Sequence, residues 1–170
     1  MIEKALEGFC QVLRIIVGCL VAALIIPVTM QVLARYTGII PVFLWTEELS
    51  TFIFVWMVML GSVIAVWEGT HFDVHVVPEA TSRLGKLLQK GFVWLLLSVF
   101  AILFAYYGIG YAKFGAIQTS PMLRANMLVI YITVPLVGFC WAAFSFFRLW
   151  QIIQEFRFGT DRLDADKSAP

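Results

Sequence analysis

The sequence predicts an all-α integral membrane protein: four transmembrane helices, both termini cytoplasmic, and interfacial amphipathic helices beside the spans. Three observations carry that reading. First, residues 15–34, 49–67, 91–112 and 125–147 contain no Asp, Glu, Lys or Arg. Each stretch has the ~20 residues that a helix rising ~1.5 Å per residue needs to cross a hydrocarbon core of ~30 Å. Second, 61% of the 170 residues are hydrophobic, 14% are charged and the mean hydropathy is +0.90, well outside the range of soluble globular chains. Third, the basic residues sort by side. With the N-terminus inside, Lys4, Arg14, Arg83, Lys86, Lys90, Arg148, Arg157, Arg162 and Lys167 fall on the cytoplasmic side and only Arg35, Lys113 and Arg124 outside. Short loops retain Lys and Arg in the cytoplasm, so that orientation is the expected one.

Residues 2–14 place Ile2, Ala5, Leu6, Phe9, Val12 and Leu13 at helical spacing, with Glu3, Lys4, Glu7, Gln11 and Arg14 on the other face. This suits a helix lying in the interface before the first span, or one packed on a partner. Val32-Leu33-Ala34 offers the small residues a signal peptidase accepts, but the apolar stretch is longer than a signal core and the leader mixes acids with bases, so the first span is expected to stay. Pro27 removes a backbone donor within it and predicts a kink or break.

A short outer loop with Gly38 and Pro41 turns the chain into the second span as an antiparallel hairpin. That span opens with Trp45-Thr46-Glu47-Glu48, where Thr46 is the expected N-cap and the two carboxylates suit the positive end of the helix dipole. Trp45 and Trp67 bracket it like interfacial belts. Residues 78–90 start at Pro78 and carry Leu84, Leu87 and Leu88 beside Arg83, Lys86 and Lys90, a short surface helix turning into the third span. The third span ends in Tyr106, Tyr107, Gly108, Gly110 and Tyr111, and the fourth carries Pro135 near its middle. Residues 1–158 thus read as one four-span membrane domain, by default a compact bundle, and residues 159–170 as a polar, disordered cytoplasmic tail.

Ionisable groups inside a span cost ~2.5–3.5 kcal/mol on insertion scales and mark ion or substrate paths. The four spans have none, which argues against an ion or proton path through this chain alone. Glu47 and Glu48 sit at a membrane entrance instead. Glu47, Thr51, Phe54, Val58, Gly61 and Ala65 share one helical face, mixing acid, hydroxyl and small side chains that favour close helix association, either within the bundle or on another subunit. Small pairs four apart recur at Gly18/Ala22, Ala101/Ala105 and Gly138/Ala142.

His71, Asp73 and His75 align on one face only if extended, and a catalytic zinc needs three supported ligands, so interfacial hydrogen bonding is the better reading and no metal is expected. Both histidines lie outside the spans, which disfavours a haem held between helices. Cys10, Cys19 and Cys140 have no ligand spacing and read as packing residues. No phosphate-binding loop, GxSxG or HExxH is present, so neither an enzyme, a bound cofactor nor a nucleic-acid partner is expected.

Arg35-Tyr36, then Trp45-Thr46-Glu47-Glu48-Leu49, Trp56, Leu60-Gly61 and Ala65, and Gly69-Thr70-His71 together resemble the small membrane subunit of tripartite ATP-independent periplasmic (TRAP) transporters, the DctQ-like family. The motif covers residues 35–75; length and the four spans extend the likeness to the whole chain. The resemblance implies a three-part secondary transporter of the bacterial inner membrane. A periplasmic protein captures an organic acid such as a C4-dicarboxylate or sialic acid, and a large multi-span permease subunit moves it with Na⁺ by an elevator-like motion. The small subunit is the scaffold that binds the large one among the membrane lipids, with Na⁺ and substrate sites in the large subunit. Carried over as architecture and subunit-contact candidates are Arg35, Trp45, Glu47, Glu48, Trp56, Gly61, Ala65, Gly69 and His71. Arg35 is expected to pair with Glu47 or Glu48 across the outer hairpin in a partly desolvated setting. The alternative is an independent four-span anchor or small homo-oligomeric transporter.

Overall fold

The computed structural model describes residues 2–37, 41, 43–69 and 83–158; of residues 2–5, 83–84, 86–88, 90 and 155–158 only the backbone is described. Among the described residues five helices form: α1 (Ile2–Thr37), α2 (Leu44–Glu68), α3 (Arg83–Ile117), α4 (Leu128–Tyr131) and α5 (Thr133–Phe158). Four stretches are long and apolar enough to span a membrane: Leu6–Thr37, Leu44–Glu68, Gly91–Ile117 and Leu128–Gln154. Among the described residues the only extended pairing is one isolated bridge, Thr119 with Asn126. The all-helical, four-span fold class therefore holds.

Residues 2–14 are continuous with the first span. α1 is 36 residues long without interruption, about 54 Å at 1.5 Å per residue and well beyond a ~30 Å core. Of its leading stripe Leu13 is buried and Leu6 partly so, in a cluster with Cys10, Trp67 and Phe144, whereas Phe9 and Val12 are exposed. The helix also runs unbroken through Pro27, since membrane helices tolerate a proline that costs one backbone bond when the flanking bonds hold. Residues 83–90 likewise continue into α3, while residues 70–82, with His71 and His75, and the tail 159–170 lie outside the described residues.

The fourth span is the interrupted one. Pro135 sits in the first turn of α5, not mid-helix, and α4 ends at Tyr131. Proline has no N–H to give the carbonyl four residues back and its ring crowds that carbonyl. Here that carbonyl belongs to Tyr131, where the helix breaks.

The backbones follow one another in a row, while side chains from all four long helices, among them Cys10, Val63, Leu97 and Phe144, share one core cluster. α1 packs on α2, α2 on α5, and α5 on α3; among the described residues the α1 backbone approaches neither α3 nor α5. Glycines close α3 against α4 and α5. A Cβ on Gly138 would lie 2.7 Å from the Ala105 backbone nitrogen, one on Gly108 2.8 Å from the Pro135 nitrogen, and one on Gly115 within the Tyr131 ring, which stacks on Tyr111 at 4.3 Å. Ala101 and Ala105 are buried in this seam.

Candidate functional site

The second helix carries most of the candidate residues, and its two ends are anchored differently. At the loop end, Phe43 is the N-cap, with extended backbone and no side-chain cap bond. Thr46, expected as the cap, lies inside the first turn, almost fully buried, and its hydroxyl donates to the Phe43 carbonyl at 2.7 Å. The helix starts three residues earlier than its polar residues suggest, with Leu44, Trp45 and Thr46 already helical.

Adjacent acids part ways. Glu47 is exposed, and its carboxylate lies 4.0 Å from Arg35, both side chains 65% exposed. This is a solvated pair, of the kind worth ~0–1 kcal/mol, so the expected desolvation is absent. Glu48 points the other way. Its carboxylate accepts from the Ser120 hydroxyl, from the Leu123 N–H at 2.9 Å and from the Met122 N–H at 3.2 Å. A carboxylate receiving several donors is the strong form of a hydrogen bond. It fixes the loop between α3 and α4 onto the mouth of α2.

That loop is itself ordered by backbone bonds from Ser120 N–H to Ala125 and from Met127 N–H to Gln118, with Arg124 in the left-handed region at φ 51°. Asn126 donates to the Ala116 carbonyl and accepts from the Leu128 N–H, closing α3 and opening α4. Half a span deeper, the Trp56 indole N–H donates to the Val129 carbonyl at 3.1 Å, and Gln31 donates to the Ser50 hydroxyl at 2.9 Å. Trp45 lies partly exposed beside Phe43.

At the opposite end Gly69 is the left-handed C-cap, φ 69°, its N–H donating to the Ala65 carbonyl at 3.2 Å. Glycine adopts that conformation without the Cβ penalty. Trp67, expected in an interfacial belt, is buried against Phe144 and Phe147. Arg148 donates to the Trp67 carbonyl at 3.2 Å and lies 5.2 Å over its ring, and Arg14 pairs with Glu68 at 2.6 Å. Three helices meet here. Sequence reasoning missed Ser120 and the role of Arg148. Ser120 left no signal, whereas Arg14, Glu68 and Arg148 are each the charge that ends an apolar stretch.

Between the ends, the shared face of α2 turns outward. Phe54 is 51% and Val58 47% exposed, Glu47 and Thr51 are exposed, and a Cβ on Gly61 would meet nothing within 4 Å. Ala65 is half-buried. His71 lies outside the described residues. The site therefore consists of a latched loop between α3 and α4, an outward small-residue face and a charged closure at the other end.

Such a chain is a multi-pass helical membrane protein whose charges gather at the two ends of its helices. Residues 24–155 match the family described as tripartite ATP-independent periplasmic transporters, DctQ component, and the chain belongs to that family. Over 119 residues, 64% of this chain, it is 28% identical to the C4-dicarboxylate TRAP transporter small permease protein DctQ of Rhodobacter capsulatus. The chain spans about half the length of that relative, 51%. Family and spans together make it a small permease component, multi-pass in a bacterial inner membrane.

Proposed function

We propose that this chain is the scaffold of a TRAP transporter: it binds the large permease subunit and supports Na⁺-coupled, binding-protein-dependent uptake of an organic acid such as a C4-dicarboxylate or sialic acid. The observation that carries the reading is the family match over residues 24–155. Both termini are on the cytoplasmic side, and the coupling ion and substrate are handled by the large subunit, because no charged residue interrupts the four apolar stretches of this one. The chain performs no catalysis and holds no cofactor or metal of its own.

The contact face for the large subunit is the outward face of α2 through Thr51, Phe54, Val58, Gly61 and Ala65. A glycine with open space above it lets a second backbone approach closely, which is how helices associate where lipid removes the hydrophobic drive. The latched loop and the exposed Arg35–Glu47 pair lie at the same end of the molecule and serve the periplasmic binding protein. Gly61→Trp fills that space without touching the α3–α5 seam. It is expected to abolish co-purification of the large subunit and uptake while leaving thermal unfolding unchanged. A homodimer that transports alone, or full assembly of the Gly61→Trp variant, refutes the reading.

A further inference from the structure

The end of the molecule carrying both described termini holds a cleft of about 330 Å³ whose walls include Glu7, Gln11 and Arg14 from α1, Trp67 and Glu68 from α2, and Arg148 from α5. That volume falls in the range of small-ligand sites, ~300–1,000 Å³. Its position in the bilayer follows from the sequence. Arg14 immediately precedes the first charge-free stretch, Glu68 immediately follows the second and Arg148 immediately follows the fourth. Three hydrocarbon boundaries therefore converge on one cleft, which sets it at the level of the lipid phosphates.

The polar chemistry is balanced. Two arginines face two glutamates. The Arg14–Glu68 pair remains half-open, 56% and 38% exposed. Arg148 is held by the Trp67 carbonyl and ring, and by Gln151 at 3.4 Å, yet its Nε is buried with no acceptor. Glu7 is exposed, and among the described residues no hydrogen bond or ion pair engages it. A phosphodiester meets the guanidinium groups bidentately, as arginine favours. A primary ammonium on the same headgroup suits the Glu7 carboxylate in the same wall. A purely anionic headgroup would set its charge against both glutamates, and a quaternary ammonium has no N–H for Glu7 and finds the Trp67 face already covered by Arg148.

We infer that this cleft is a binding site for an amine-bearing phosphodiester, specifically the headgroup of phosphatidylethanolamine, held by Arg14 and Arg148 through its phosphate and by Glu7 through its ammonium. The inference rests on the membrane-spanning fold and not on the scaffold reading. The α1 wall, residues 7–14, lies outside the stretch that matches the family.

The test uses the full chain, purified from membranes with the subunits that accompany it, exchanged with an equimolar mixture of isotope-labelled phosphatidylethanolamine, phosphatidylglycerol and phosphatidylcholine, and weighed by native mass spectrometry. Wild type is expected to retain phosphatidylethanolamine at least several-fold over the other two. Glu7→Gln is expected to erase that preference and Glu7→Lys to turn it toward phosphatidylglycerol, both with unchanged thermal unfolding because Glu7 is exposed. Equal retention of the three lipids by wild type, or an unaltered preference in both variants, overturns the site. Glycerophosphoethanolamine, the soluble headgroup, is expected to displace nothing at concentrations matching the lipid. Displacement would assign the cleft to a water-borne ligand and overturn the lipid assignment.

Discussion

Gly108 and Gly138 hold the α3–α5 seam closed and Gly115 seats Tyr131 of α4, whereas Gly18 on α1 and Gly61 on α2, like Gly91 and Gly110 elsewhere on α3, look onto open space. In the first group glycine makes room for a backbone or ring of the same molecule. In the second it leaves a face unoccupied, and the α1–α2 pair is correspondingly bare: only 11% of the most apolar α1 window and 22% of that of α2 are buried, against 39% for the fourth span. The same residue type thus closes one contact and leaves another open. What separates them is the neighbour across the gap, which no local pattern contains.

The largest expected effect falls on the closed side. Gly138→Leu places a Cβ against the Ala105 backbone, where nothing flexible can yield, and Gly115→Ala drives one into Tyr131. Overpacking typically costs ~1–3 kcal/mol, so both variants should unfold at clearly lower temperature in mild detergent. Gly18→Ala and Gly61→Ala should be neutral or raise stability by up to ~1 kcal/mol, as alanine does in a helix interior. Equal losses on both sides would erase the contrast.

A second, smaller effect separates the loop from the helices. Glu48→Gln keeps the side-chain shape but replaces the carboxylate on which Ser120, Met122 and Leu123 converge. Limited proteolysis should then cut within residues 118–127 several-fold faster, while the four spans stay protected; unchanged cleavage would show that the backbone bonds of the loop suffice. Trp56→Phe removes one hydrogen bond between α2 and Val129, a loss of ~0.5–1.5 kcal/mol read in the same unfolding assay.

The smallest effect on the fold belongs to Arg35→Glu, since the pair with Glu47 is long and exposed. Its stability should move by less than ~1 kcal/mol. Weakened uptake with intact assembly would locate its role in docking the binding protein; undiminished assembly and uptake would remove Arg35 from the site.

Several residues show why part of the site was legible and part was not. Gly61 and Ala65 were visible as a small-residue face, yet whether it faced in or out was not. Glu47 and Glu48 were visible as a pair at the start of a helix, yet adjacent positions on a helix point about 100° apart, so one reached Arg35 and the other a loop 72 residues on. Trp67 read as interfacial because tryptophan at a span boundary usually is. It became core because Phe144, Phe147 and Arg148 arrive over it from α5.

The sequence by itself determined that the chain spans a membrane four times and roughly where each span ends, because the free energy of moving a helix into lipid is close to a sum over its own residues. Only the tertiary structure decided that the helix backbones follow the order α1, α2, α5, α3, that Gly108, Gly115 and Gly138 are sealed and Gly18 and Gly61 open, and that Arg14, Glu68 and Arg148 share a cleft. Those outcomes depend on shape complementarity and hydrogen bonds between residues far apart in the chain, and lipid, as apolar as the helices themselves, offers no burial gradient from which to read them in advance.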